Sequence, residues 1–137
     1  MATVIRPEVS KKSRYWIDKH RHYELKHFCL QYPEWKRAYR DSIYISVGSF
    51  DRVPSGNQPG DPTSEQAIRR SNYLKRIELI ERVARETDCD LHDYILKGVT
   101  EGLSYTYLKS RLDMPCGKDL YYDRYRRFFW LLDELRD

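Results

Sequence analysis

The last third of the chain most constrains what it can fold into. From Asp88 to Asp137 it reads DCDLHDYILKGVTEGLSYTYLKSRLDMPCGKDLYYDRYRRFFWLLDELRD. Two breaks divide it. Gly102 stands where a helix would end in a left-handed residue, and Met114-Pro115-Cys116-Gly117 has the composition of a turn. The pieces between carry helical periodicity. Leu91, Tyr94, Ile95, Leu96 and Val99 fill a first helix that Asp88 or Asp90 would cap. Ser104 would cap a short second helix, Tyr105 to about Leu112, with Tyr105, Leu108 and Leu112 spaced i, i+3, i+7. A third helix is expected from about Lys118 to Leu135.

On a helical wheel the third helix gathers Leu120, Tyr121, Tyr125, Phe128, Leu131, Leu132 and Leu135 on one face, toward a core. Arg124 falls inside that stripe and would snorkel from its edge. Lys118, Asp119, Tyr122, Asp123, Arg126 and Arg127 face outward. In a helix-turn-helix the first half of the second helix enters the major groove of DNA. Arg and Lys contact phosphates or guanine edges there, and Tyr stacks or touches a thymine methyl. Lys118, Asp119, Tyr122, Asp123 and Arg126 are therefore the candidates for base edges. Ser104, Tyr105, Lys109 and Arg111 on the preceding helix are the candidates for phosphate. The same residues also fit an ordinary solvated helix surface. Trp130, on the outward side, and Phe129, near its edge, are large enough to need burial, and the N-terminal helices are expected to cover them.

Upstream, residues 1–12 lack periodicity and read as a loose basic arm. Ser13 to Tyr32 reads as a helix apolar on two sides, with Trp16, Tyr23 and Leu30 on one and Ile17, Leu25, Phe28, Cys29 and Tyr32 on the other. Pro33 opens a second helix to about Ser42. Ile43 to Val47 is β-branched and reads as an extended tail packed on the core. Gly48 to Pro62 is a loop by composition. Thr63-Ser64-Glu65-Gln66 has the form of a capping box opening a long helix to about Glu86. This gives an N-terminal helical part (1–47), a polar loop or linker (48–62) and a helical domain (63–137) ending in the helix-turn-helix (about 88–137).

Charge follows this division. Residues 1–45 hold ten Lys/Arg against five Asp/Glu, 46–102 eight against ten, and 103–130 six against three. Basic ends flanking a mildly acidic middle suit a polyanion partner. In the long helix, however, Arg69, Arg70, Lys75, Arg76, Arg82 and Arg85 read as a solvated surface. No apolar run reaches the ~18 residues that a membrane helix needs. Cys29, Cys89 and Cys116 have neither disulfide nor zinc spacing, and reduced thiols in a cytoplasm are expected. His20, Glu24 and His27 share a helix face, but nothing elsewhere completes a metal site. Cys116 beside Gly117 at a helix start has the placement of a low-pKa thiol, without a histidine partner. No nucleotide-loop or nucleophile-elbow motif occurs, so neither an enzyme nor a cofactor or metal is expected.

Glu101-Gly102-Leu103-Ser104-Tyr105, followed by Leu108 and a second helix, resembles the promoter-reading C-terminal domain of bacterial sigma factors. The whole layout is similar to small sigma-like activators of phages and prophages, of the RinA and ArpU kind. The resemblance implies an all-α fold, with the N-terminal helical part packed on a C-terminal sigma-like helix-turn-helix. It implies double-stranded promoter DNA as partner, contact with host RNA polymerase, and regulation of phage genes in the bacterial cytoplasm. Pro115-Cys116-Gly117 makes the turn about one residue longer than the family's, and the helix after it is more aromatic. Two alternatives stay open. One is a small-terminase-type DNA-packaging protein, in which the doubly apolar helix builds an oligomer. The other is a module that binds polymerase without DNA. A monomer or homodimer fits the regulator, and a ring of many subunits the packaging protein.

Overall fold

The computed structural model describes residues 14–48 and 62–136, without the side chains of 44–48, 62 and 63. The expected N-terminal arm and most of the polar loop lie outside the described residues. The protein is all-α. The helices are α1 (Lys19–Leu30), α2 (Tyr32–Gly48), α3 (Pro62–Thr87), α4 (His92–Glu101), α5 (Tyr105–Arg111) and α6 (Lys118–Leu135).

α6 is the centre of the packing. Tyr121, Tyr125, Phe128, Phe129 and Leu132 are buried along it. The stripe is rotated toward Phe129 relative to the expected one, which leaves Leu120 and Leu135 exposed. The cause is α1, which packs beside α6 and seats the buried His22 ring edge-on against Phe129, with centroids 4.9 Å apart. Leu25, Phe28, Cys29 and Tyr32 continue the covered side of this helix into one cluster with Ile80, Val83, Ile95, Val99 and Leu108. The N-terminal helices thus pack directly on the C-terminal ones.

Three expectations need correction. α1 starts at Lys19, not Ser13, because Tyr15 is pulled into the core beside Trp130 (5.7 Å) and the backbone around it is turned. Ile43 to Val47 are helical, the last turns of α2 and not an extended tail. β-branched residues lose at most about 0.7 kcal/mol each in a helix, too little to stop α2 from continuing through them. Finally, α3 begins at Pro62, which takes the first-turn position that suits proline, so Thr63 lies inside the helix and not at its cap. Pro33 sits in the first turn of α2 as expected, two residues after the Gln31 junction with α1.

Two ionic clamps fix how the helices lie. At one end Arg21 of α1 donates to Asp133 (2.6 Å), to Glu24 (2.8 Å) and to the Arg136 carbonyl (2.8 Å). The Arg136 guanidinium in turn lies 4.1 Å from the Phe28 ring centre. At the other, Arg124 of α6 donates to Asp88 (2.9 Å), in the turn between α3 and α4. The other oxygen of Asp88 accepts from the N–H of Asp90 (2.9 Å) and Leu91 (3.0 Å), so one carboxylate both shapes the turn and anchors α6. Arg124 is therefore an anchor and not a snorkelling side chain.

Burial opposes ionisation of Asp88, but the hydrogen bonds from Arg124, Leu91 and Asp90 outweigh it and hold the carboxyl below its ordinary value. A group lowered on folding stabilises above its unfolded pKa, ~3.9 for Asp, and loses that contribution as pH falls through the folded value. Asp88→Asn should lower the urea-derived stability at pH 7 by about 1–2 kcal/mol. The gap to wild type should close on acidification below pH ~4. A gap that stays constant down to pH 2.5 would show that ionisation of Asp88 is not what holds the turn.

Candidate nucleic-acid interface

The expected capping signals around α5 are in place. Gly102 ends α4 at φ 70°, in the left-handed region, and its N–H reaches the Gly98 carbonyl at 3.1 Å. Ser104 Oγ accepts the Tyr107 N–H at 3.1 Å. At the far end of α5 the Leu108 carbonyl accepts from both Leu112 (3.2 Å) and Met114 (3.1 Å). Between them Asp113 takes φ 58°, a conformation that Asp tolerates better than most residues. Lys109 then holds the turn from above, its ammonium donating to the carbonyls of Met114 (3.0 Å) and Cys116 (3.2 Å). The Tyr105 hydroxyl donates to the same Cys116 carbonyl at 3.3 Å. The turn that launches α6 is fixed by α5 side chains and by the buried Met114.

This geometry sorts the candidate residues. Ser104 is committed to the cap of α5, and Tyr105 and Lys109 to the turn. Tyr122 is half-buried among rings, 5.1 Å from Tyr121, 6.1 Å from Tyr125 and 6.2 Å from Tyr105, and burial raises its hydroxyl pKa. Asp123 accepts from Arg124. Arg127 is half-buried and reaches the Tyr15 hydroxyl at 3.5 Å. Arg111, Lys118 and Asp119 are exposed and Arg126 half-exposed, with no hydrogen bond or ion pair from their side chains among the described residues. Asp119 lies in the first turn of α6, where its charge also favours the helix dipole. The outer face of α6 is thus divided. Tyr15 packs on Trp130 in the second half, while the first turns stay open.

Beside those turns lies a groove of about 510 Å³ between α1, α4, α5 and α6. Tyr105, Tyr121, Tyr122 and Tyr125 line it, with Lys26 and Lys118 contributing ammonium groups. Cations next to aromatic faces can meet a phosphate and stack a base. The sequence reading missed Lys26, because its place beside α4 and α6 follows only from the packing of α1. Gly98 was missed too. A methyl group there would come within 2.2 Å of the Tyr121 hydroxyl, which is buried without a hydrogen-bond partner.

Other chemistry finds little support here. Burial and the charge of Asp88, against the opposing Lys109, push the Cys116 thiol pKa up, the reverse of the lowering that its place at a helix start suggested. Glu24 is engaged by Arg21 and Arg136, and no group of three His, Cys, Asp or Glu among the described residues is placed to hold a metal ion. None of the described helices is long and apolar enough to cross a membrane. Comparison with known proteins finds no matching family model, curated protein or solved structure.

The contact between Gly98 and Tyr121 makes a quantitative test of how tightly α4 is seated on α6. Gly98→Ala should destabilise the fold by about 1–3 kcal/mol, since the added methyl and the Tyr121 hydroxyl would claim the same space. Tyr121→Phe alone should be nearly neutral, because the hydroxyl it removes has no partner. In the double variant most of the alanine penalty should vanish, a coupling that a thermal-unfolding double-mutant cycle would read. Additive effects would mean that the two residues do not meet as described.

Proposed function

We propose that the protein is a sequence-specific DNA-binding transcriptional regulator of a phage or prophage, sigma-like in its C-terminal third. One observation carries the reading. α5 pins the turn before α6, and α6 then presents Lys118, Asp119 and Arg126, with Arg111 at the end of α5, all without an internal partner among the described residues. A rigid helix start with uncommitted cations, next to a cationic aromatic groove, suits insertion into a major groove. Lys118 and Arg126 are the leading base-edge residues, and Arg111 the leading phosphate contact. Tyr122 and Arg127 serve chiefly to position the helix. Host RNA polymerase is the second partner on this reading.

The test is selection of bound fragments from a random duplex library by the full-length protein, followed by sequencing. A shared motif should emerge. Arg126→Ala should weaken binding to it by about 1–3 kcal/mol and relax preference at one base position, with circular dichroism unchanged. Recovery of no motif by the wild-type protein would sink the proposal.

A second reading has its own observation. Tyr23 and Leu30 stand seven residues apart on α1, 42% and 38% exposed, on the side of the helix away from Leu25 and Phe28. That stripe suits contact with another copy, as in a small-terminase-type packaging ring. Light scattering at micromolar concentration separates the readings. A monomer or dimer is expected for the regulator, and a larger ring would transfer the proposal to packaging.

A further inference from the structure

The charges of α2 and α3 segregate along the helix pair, and the packing brings the basic stretches of the two helices side by side. The Tyr32 hydroxyl donates to Glu81 at 2.5 Å, and the Arg76 guanidinium lies 5.5 Å from the Trp35 ring centre. These two contacts set an antiparallel register, which brings Arg37 level with Lys75 and Ile43 level with Arg69. Toward the far end, residues 36–43 of α2 carry Lys36, Arg37 and Arg40 against Asp41. Facing them, residues 64–76 of α3 carry Arg69, Arg70, Lys75 and Arg76 against Glu65. Nearer the core the pattern reverses. Residues 77–87 hold Arg82 and Arg85 against Glu78, Glu81 and Glu86, with Arg82 paired to Glu86 at 2.6 Å.

An ordinary solvated helix face interleaves signs, as the core end of α3 does. The far end does not. Among the described residues no ion pair joins any of its seven cations. All but Arg70 are exposed. Lys36 and Arg76 lie over the faces of Tyr32 and Trp35, which orients them without neutralising them. Like charges at i, i+4, such as Lys36 and Arg40, cost a helix about 0.2–0.5 kcal/mol. Uncompensated repulsion of this kind is relieved by a polyanion.

We propose that this two-helix prong is a phosphate-backbone contact for double-stranded DNA, one that grips the duplex without reading its bases. At 1.5 Å per residue, residues 64–76 extend ~20 Å, and a duplex carries a charge every ~1.7 Å of its axis. The prong therefore opposes several phosphates at once. The inference rests on DNA being the partner, as in the proposed function, but it uses none of the residues of α5 or α6.

The test uses the full chain, a 30-base-pair duplex of random sequence and fluorescence anisotropy from 50 to 300 mM KCl. One variant replaces Arg37, Arg40, Arg69 and Lys75 with Gln. The other combines Lys118→Ala with Arg126→Ala. Each lost phosphate contact should reduce the slope of log affinity against log salt by ~0.9. The first variant should lose up to about 3.6 in slope and at least tenfold in affinity at 100 mM. The conservative variant, with Lys at the three arginine positions, should retain both. Melting temperature and helical signal check that each variant folds. An unchanged slope in the glutamine variant overturns the prong while leaving the α6 reading intact if the second variant still loses its motif. If the glutamine variant loses slope and the second variant binds every sequence as wild type does, the prong stands and the α6 reading falls. If wild-type protein fails to bind the duplex at 50 mM KCl, both fall, and an acidic protein surface becomes the occupant to seek.

Discussion

The aromatic stripe of α6 is the surface on which α1, α3 and α4 meet. Tyr121, Tyr125, Phe128, Phe129 and Leu132 are almost wholly removed from water, and the first four touch one another edge-on or tilted at 5.1–6.0 Å. Such pairs add about 0.5–1.5 kcal/mol each beyond the area they bury. Their larger effect is geometric. Rings packed on rings fix the rotation of α6 about its axis, and with it which residues face out. Gly98 lets α4 approach until its backbone meets Tyr121, and His22 sets α1 against Phe129. The uncommitted face at the start of α6 is what remains after α1, α3 and α4 have taken the other sides.

Partly buried ionic contacts then remove the ambiguity that apolar packing leaves. A cluster of rings tolerates sliding, whereas Arg124 on Asp88 and Arg21 on Asp133 do not. Asp88 is 15% exposed, so its bonds act in a less screened setting than the solvent-exposed Arg82–Glu86 pair, a kind worth at most about 1 kcal/mol. The clamps also dispose of residues that would otherwise look functional. Asp133 and Asp123 serve as partners for arginines. They do not merely temper a basic surface.

What the sequence made legible was local. The left-handed Gly102, the Ser104 cap, the first-turn Pro33 and the all-α class depend on residues within a turn of one another, and single-chain patterns record them directly. The corrections came mostly where distant contacts decided. Tyr15 shortened α1 because Trp130 needed covering. Ile43–Val47 continue α2 as helix, against a local β-branched preference that is too weak to decide. Tyr122 looked outward on the wheel, but the wheel could not show Tyr105 folding over it. The basic prong was invisible for the same reason. Averaged along the chain, residues 46–102 are mildly acidic, and only the antiparallel register brings Arg37 and Arg40 beside Lys75 and Arg76.

The cations of this protein thus fall into two kinds, and the difference bears on mechanism. Arg21, Lys109 and Arg124 are each engaged by two or three internal acceptors and shape the fold. Lys118 and Arg126, and separately the cations of the prong, lack such acceptors among the described residues. A short helix start reading a few base edges carries limited affinity, since phosphate contacts supply most of the attraction in protein–DNA complexes. On the proposed reading, the two uncommitted sets divide this labour. α6 would discriminate between sequences, while the prong would hold the duplex long enough for discrimination to matter and fix its direction relative to the helix axis. Placing the grip on separate helices leaves the recognition surface free of surplus positive charge, which would bind every sequence alike. Asp119, kept at the start of α6 among those cations, fits that division, because a carboxylate there penalises phosphate contact and accepts only from a correctly placed donor on a base.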